Sequence, residues 1–318
     1  MTLVIVGHEK IKDGWASAWG DDSASMKMRN DGLFAVSDSV ITVNGTNGEN
    51  PLLSGLRKIH GVEIKFWKPY FVDGYFRDYL DVASTSECFV AFAGSTLTAT
   101  HALDIICEHL GKLLISYSRN SDRAEPATYV IQRHCEYNDI RDTQQVIRWD
   151  EDMFMRSDFA ALFTADYVSK VIEHSINVAL KSAKRYRLTR QALDLMKTDF
   201  VAGIHCPVTE THRLFEYRMK ERENAEGVIE VFTERDEIPD GRVAVLGMRD
   251  AFERRAQAAY DSAVREGLST GKELFRFLNA AIDEVAQQKS FAIDRPSVHK
   301  KLERGSVKIV SFEGRKDA

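Results

Sequence analysis

The order in which strand and helix patterns follow one another constrains this chain more than any other feature. Short apolar segments rich in Val and Ile predict strands, and apolar residues at helical spacing predict helices. The predicted strands are 2–8, 33–43, 58–67, 89–94, two over 127–149, four between 198 and 247, and 307–312. The predicted helices are 95–116, one long or two consecutive helices over 157–197, 249–266 and 270–288. Strands and helices that come in groups rather than in alternation indicate the α+β class. We expect two antiparallel sheets, each flanked by a helix pair, in a four-layer αββα sandwich.

The domain organisation follows from the length and from the lack of internal divisions in the sequence. A chain of 318 residues suits one domain with insertions as well as it suits two domains. No repeat, low-complexity tract or proline-rich linker divides it, and its six prolines leave little to mark a boundary. One domain over 1–318 is therefore the prediction.

Charge and apolar content exclude several classes of partner. Lys and Arg number 43 against 48 Asp and Glu, and a net charge of -5 creates no field that would gather nucleic acid. The sequence has neither an apolar run long enough to cross a membrane nor a signal-peptide pattern, so we expect a cytoplasmic protein. Its four cysteines form no CxxC pair, and Cys and His residues that are adjacent in sequence point in different directions. We therefore expect no metal and no cofactor.

Several positions carry groups that a strand core does not need. Asp38 interrupts the apolar strand FAVSDSVIT, and a carboxylate buried there must have a partner. Gly94 lies where a strand meets a helix, so its N–H and the helix dipole could stabilise an oxyanion, although glycine at such a corner often only relieves steric strain. Thr2 has a hydroxyl but can equally be the first residue of a strand, just as Lys58 can be a solvated strand residue.

In order and context these positions resemble the functional residues of the proteasome-type β-subunits, which belong to the N-terminal nucleophile (Ntn) hydrolases. The matching pieces are Thr2 after Met1, the strand FAVSDSVIT, Lys58 in RKIHGVEI, the FVAFAG corner, and Asp294-Arg-Pro-Ser297. Together they span nearly the whole chain. Relative to that family, the chain has insertions near 9–31, 67–88 and 117–156.

The resemblance implies a role for each matching residue. Thr2, exposed by removal of Met1, would be the nucleophile, and its own α-amino group would be the base. The charge of Lys58, balanced by Asp38, would keep that amine neutral. The remaining implied roles are oxyanion binding by Gly94, orientation of the amine by Asp294 and Ser297, and lining of the substrate pocket by Phe92 and Thr96.

The function predicted from this resemblance is that of a threonine-dependent amide hydrolase, a proteasome-like peptidase that acts on peptide or protein substrates within a homo-oligomeric ring. The sequence does not tell whether an ATP-dependent unfoldase feeds such a ring. A catalytically silent scaffold or regulatory subunit is the alternative, favoured by Met248 where the family has a serine, by Pro296 and by the insertions. A small-molecule amidase with the same chemistry is a third interpretation.

Overall fold

The computed structural model describes residues 2–12, 28–45, 48–118, 128–142, 148–149, 151–181, 183–186 and 188–314. The strands are β1 Leu3–Lys12, β2 Met28–Ser37, β3 Ile41–Gly45, β4 Gly48–Leu53, β5 Ile59–Val72, β6 Tyr75–Gly94, β7 Leu113–Ser118, β8 Thr128–Arg133, β9 Thr198–Cys206, β10 Thr211–Glu223, β11 Ile229–Ile238, β12 Ala244–Gly247, β13 Ser297–Glu303 and β14 Ser306–Glu313. The α-helices are α1 Thr96–Gly111, α2 Asp139–Asp142, α3 Arg156–Phe159, α4 Ala165–Leu180, α5 Arg190–Met196, α6 Arg249–Glu266 and α7 Thr270–Gln287.

A five-stranded antiparallel sheet has the order β12-β1-β2-β13-β14. One face of β1 and β2 packs against α6 and α7 through alternate residues that include Leu3 and Ile5. The intervening residues, such as Val4 and Val6, are buried on the opposite face against the other large sheet. Because both faces of the strand are buried, its sequence is a continuous apolar run rather than an alternating one.

A seven-stranded sheet has the order β11-β10-β9-β6-β5-β7-β8. Its outer face is covered by α1 and α4, whose buried side chains form the largest apolar cluster together with residues of β5, β6, β9 and β10. The strands β5 and β7 run parallel, with Phe66 opposite Leu113, whereas the other pairs in this sheet are antiparallel. A separate two-stranded hairpin, β3-β4, forms a third sheet.

The predicted fold class, a four-layer αββα sandwich of two antiparallel sheets, was wrong. The described residues form three sheets, and the largest of them is mixed. The mixed character comes from β7, which begins at Leu113 just after α1 ends at Gly111 and lies parallel to β5. The hairpin β3-β4 arises at the segment 44–51, which the sequence indicated only as a turn.

The single domain and its three insertions stay predictions. The structure describes parts of the segments predicted as insertions. Residues 67–88, predicted as an insertion, form the paired ends of β5 and β6. Part of the segments 9–31 and 117–156 lies outside the described residues. Within the described ranges, no helix has both the length and the apolar content needed to cross a membrane.

Candidate active site

Asp38 follows directly after β2 and is completely buried. Val4 of β1 is paired with Ser37, so the neighbouring Asp38 lies beside the start of β1. Its Oδ1 accepts a hydrogen bond from the Leu3 N–H at 2.8 Å, and its Oδ2 accepts one from the Val40 N–H at 3.1 Å. These backbone donors satisfy part of a carboxylate that would be costly to bury without partners.

Lys58 precedes β5 and is also buried, with a side chain only 1% exposed. Its Nζ donates to both carboxylate oxygens of Asp38, at 2.9 and 2.8 Å, and to the Thr2 Oγ1 at 3.0 Å. All three protons of the ammonium group are thereby used. Burial lowers the pKa of Lys58 and raises the pKa of Asp38, and the attraction between the two charges opposes both shifts.

Thr2 is fixed through its backbone as well as its hydroxyl. Its carbonyl oxygen accepts a hydrogen bond from the Met248 N–H at 2.9 Å. Gly247 beside it has φ of 88°, and a Cβ there would lie 1.8 Å from the Thr2 oxygen, so only glycine fits. The sequence reasoning missed Gly247, although a glycine at the end of the short apolar strand AVLG was a visible signal.

Gly94 occupies the corner between β6 and α1. Its φ is 126°, and a Cβ at this position would lie 2.2 Å from the carbonyl oxygen of Lys197. The backbone therefore requires glycine here whatever part its N–H takes in chemistry. Ser95 then begins the helix, since its hydroxyl accepts a hydrogen bond from the Thr98 N–H at 3.4 Å.

A cavity of about 900 Å³ brings most of the predicted residues to one place. Thr2, Lys58, Gly94, Phe92 and Thr96 all line it. The predicted pocket residue Phe92 is itself 3% exposed and is flanked by two rings, with His60 at 5.9 Å and Phe200 at 6.5 Å between ring centroids.

One part of the cavity wall is charged, which the sequence reasoning did not predict. Asp194 and Lys197 are paired at 2.9 Å at the end of α5, and Asp199 and Arg218 come from β9 and β10. Burial raises the pKa of Asp199, and the nearby charge of Arg218 opposes that shift. These residues come from segments distant in sequence from Thr2, so no local pattern could have grouped them with it.

Asp294 precedes β13, and Ser297 is the first residue of that strand. The Ser297 Oγ donates to Asn279 Oδ1 on α7 at 2.7 Å. The carbonyl oxygen of Asp294 accepts a 3.4 Å hydrogen bond from the Ser39 N–H, which places this segment beside the Asp38 turn. Their predicted role in orienting the Thr2 amine stays a prediction. Met248, in contrast, does lie next to Thr2, at the position where the family serine was expected.

The groups at the cavity edge can be summarised by residue type. Among the described residues, no group of three or more His, Cys, Asp or Glu side chains is placed to hold a metal ion. What the site offers is a hydroxyl in contact with a buried cation at the edge of a cavity, together with a backbone corner whose conformation only glycine can adopt.

Comparisons with known proteins do not identify a family for this chain. No protein-family model and no curated protein matches the chain. Among solved structures, Anbu from Hyphomicrobium sp. strain MC1 is 12% identical with a TM-score of 0.44 and covers 99% of this chain and 89% of its own. A Gly-1 mutant of it is 10% identical, with a TM-score of 0.40 and coverages of 99% and 87%. Anbu (ancestral beta-subunit) from Yersinia bercovieri is 13% identical, with a TM-score of 0.36 and coverages of 94% and 80%.

These values do not establish a family. The predicted membership in the proteasome-type β-subunits of the Ntn hydrolases was wrong: no family model supports it, and the similar structures fall at TM-scores of 0.36 to 0.44. The short motifs that suggested it are each too common to identify a family without longer similarity.

Proposed function

We propose that the protein is a threonine-dependent amide hydrolase whose nucleophile is the Thr2 Oγ1. The observation that carries this proposal is the 3.0 Å contact between that oxygen and the buried Nζ of Lys58, at the edge of a cavity of about 900 Å³. A strand end needs neither a buried lysine nor an open cavity beside its hydroxyl. A nucleophilic hydroxyl benefits from both.

The base in this proposal is the α-amino group of Thr2, released by cleavage of the Met1–Thr2 bond. A free α-amino group has an unperturbed pKa of about 7.7 to 8.0, so it can take a proton near neutral pH. The positive charge of Lys58 lowers the pKa of an amine nearby and stabilises negative charge on the attacking oxygen. Asp38 keeps the lysine charged in spite of its burial.

The reaction follows from these groups. The Thr2 Oγ1 attacks the amide carbonyl carbon while its proton passes to the amine, and the N–H of Gly94 with the dipole of α1 stabilises the resulting oxyanion. The C–N bond then breaks, the leaving amine takes the proton, and an ester on Thr2 remains. Water attacks that ester, with the amine again as base, and releases the acid and the free hydroxyl.

The cavity is the proposed place of the substrate side chain. Phe92 and Thr96 offer an apolar ring and a hydroxyl, and the pair Asp194–Lys197 offers charges of both signs. Peptide or protein substrates and assembly into a homo-oligomeric ring are part of the proposal and are to be tested by peptide cleavage and by native mass.

The test begins with the intact mass of the purified protein, because a chain that retains residue 1 has no free amine on Thr2. A processed protein is then incubated with an epoxyketone, which reacts with a hydroxyl and a free amine on the same residue. We expect one adduct on Thr2 that disappears in Thr2→Ala and persists in Thr209→Ala, a substitution in an exposed turn. Retention of Met1, or a processed and folded chain without adduct, refutes the hydrolase.

A catalytically silent scaffold or regulatory subunit is the second candidate, and specific contacts favour it. Asp38 binds the Leu3 N–H, the Thr2 carbonyl binds the Met248 N–H, and the Ser297 hydroxyl is directed to Asn279. Each of these contacts stabilises the sheet without any chemistry. This candidate predicts that Thr2→Ala changes neither assembly nor any measurable activity.

A further inference from the structure

A second group of reactive side chains lies at the other end of α1 from the cavity. His109 is in the last turn of α1 and is 6% exposed, and Cys135 is exposed in the turn after β8. The Cys135 Sγ and the His109 Nε2 are 3.6 Å apart, within the range of a hydrogen bond to sulfur. A thiol next to an imidazole is the arrangement that activates cysteine nucleophiles.

The hydrogen bonds of Ser175 determine which nitrogen of His109 carries the proton. The Ser175 hydroxyl donates its single proton to the Val171 carbonyl at 2.7 Å. It must therefore act as acceptor in its 2.8 Å contact with the His109 Nδ1, so that nitrogen carries the hydrogen. The Nε2 is then left with a lone pair directed at the Cys135 thiol. The imidazole is oriented as a base for this cysteine.

The charges around His109 keep its ring neutral. Burial is the largest influence and lowers the pKa of His109. The groups that face it are His174 on α4, His134 and Arg133 at the end of β8, and Glu108 on α1; the first three lower the pKa further and the last opposes them. Arg133 is itself paired with Glu136. A neutral ring near pH 7 is available to accept a proton.

Cys107 provides a comparison on the same helix. It is also exposed, but partial burial of the thiol and the charge of Asp104 raise its pKa. The remaining cysteines, Cys88 and Cys206, are buried. The chain therefore offers two exposed thiols of which Cys135 is the one in contact with an imidazole nitrogen.

We propose that Cys135 is a site of reversible thiol modification, with His109 as its base and small-molecule disulfides as its substrates. The Cys135 proton passes to His109 Nε2, and the thiolate attacks one sulfur of the disulfide. A new S–S bond forms while the old one breaks, and the departing thiolate takes the proton back from His109. The product is a mixed disulfide on Cys135 and one free small thiol, without net oxidation.

The site is independent of the proposed hydrolase. Thr96 at the cavity and His109 lie thirteen positions apart on α1, which corresponds to about 20 Å at 1.5 Å per residue. None of the residues that carry the thiol proposal lines the cavity. Failure of either proposal therefore leaves the other untouched.

The test is incubation of the native protein with glutathione disulfide in millimolar excess, followed by peptide mass spectrometry that resolves Cys135 from Cys107. We expect Cys135 to form the mixed disulfide about ten-fold faster than Cys107 near neutral pH, because only Cys135 has a base in contact. A reductant should remove the adduct. Between about pH 6.5 and 8 the rate at Cys135 should change less than that at Cys107, since general-base attack does not require prior ionisation.

Two variants decide whether His109 is the cause. Ser175→Ala removes the acceptor that fixes the ring tautomer but retains the helix, and it should lower the rate at Cys135 several-fold while the rate at Cys107 is unchanged. His109→Gln removes the base and should bring the two rates together. Equal rates at Cys135 and Cys107 in the unaltered protein overturn the proposal. So does an unchanged Cys135 rate in Ser175→Ala that retains the native circular dichroism, and this variant decides if His109→Gln fails to fold.

Discussion

Replacement of Lys58 by methionine should destabilise the protein far more than removal of an ordinary ion pair. The side chains of Lys58 and Asp38 are 1% and 0% exposed, and their charged atoms are 2.8 Å apart. At an effective dielectric constant of about 20, charges at this separation attract each other by about 6 kcal/mol. The substitution also removes the cost of burying the ammonium group, so the net loss is smaller. Removal of one partner from a buried pair typically costs about 3 to 5 kcal/mol.

The loss in Lys58→Met should depend on pH in a defined direction. Burial already raises the pKa of Asp38, and without the lysine that pKa rises further. A carboxyl group whose pKa is higher in the folded than in the unfolded state binds a proton more tightly when folded. Acidification from neutral pH towards the unfolded value of about 3.9 therefore restores stability to the variant.

The assay is urea unfolding of both proteins near pH 7.5 and near pH 5.5. Lys65→Met is the matched control, because Lys65 lies on β5, which Lys58 directly precedes, and pairs with Glu63 at 2.8 Å, but with side chains 32% and 51% exposed. The control should lose less than about 1 kcal/mol. A loss in Lys58→Met as small as that of the control, or one that does not shrink on acidification, would refute the reasoning about the buried pair.

Two further substitutions test a backbone conformation and a buried histidine. Gly94→Ala should lower the free energy of unfolding by about 3 kcal/mol or more, because φ is 126° and the new Cβ would meet the Lys197 carbonyl oxygen at 2.2 Å. Gly61→Ala is its control in the same urea titration: no atom lies nearer than 3.7 Å to the new Cβ, so the free energy of unfolding should not change. His299→Phe should reduce the loss of stability on acidification from about pH 7 to 4.5. Burial lowers the pKa of His299 to about 4 in the folded protein, whereas the unfolded chain has a pKa of about 6.5. Acidification therefore protonates the unfolded state first and favours unfolding, and the phenylalanine variant lacks this effect. Equal acid sensitivity of the two proteins would contradict this account.

Much of the local structure could be predicted because it depends on neighbours in sequence. The apolar spacing over 249–266 gave the bounds of α6, and the apolar start of the chain gave β1. The segment 157–197, predicted as one long or two consecutive helices, is divided into α3, α4 and α5 with short 3₁₀ turns between them. The helices α4 and α5 begin after the N-caps Thr164 and Thr189, whose hydroxyls accept hydrogen bonds from helix N–H groups, a signal that the sequence contained.

The sheet arrangement could not be predicted, because it depends on contacts between distant segments. The far end of β5 contains a proline, and the first half of β6 is mostly exposed and carries charged residues, so neither gives a clear strand pattern. The strand β13 was missed for a similar reason, since SVHKKLE contains few apolar residues. The parallel pairing of β5 with β7 has no local signal at all.

For the candidate site, the sequence indicated the residues and the pairing of Lys58 with Asp38, but not the other partners. Thr2 and Asp38 lie close because β1 and β2 pair in a register that both buried faces enforce, and Lys58 reaches both from the start of β5 in the other large sheet. The hydroxyl of Ser297 instead binds Asn279, which a sequence reading had no means to foresee. The family resemblance rested on such short matches, and no family model supports it.

The position of Lys58 has a practical consequence for anyone who screens this protein for loss of function. One ammonium group holds both the hydroxyl of Thr2 and the carboxylate that fastens the start of the first strand. An inactive Lys58 variant would therefore be uninformative unless the fraction of folded molecules were measured alongside it. Thr2→Ala removes one acceptor of that ammonium group but leaves its two bonds to Asp38 and the bond from the Leu3 N–H in place, so it separates loss of the hydroxyl from loss of the ion pair.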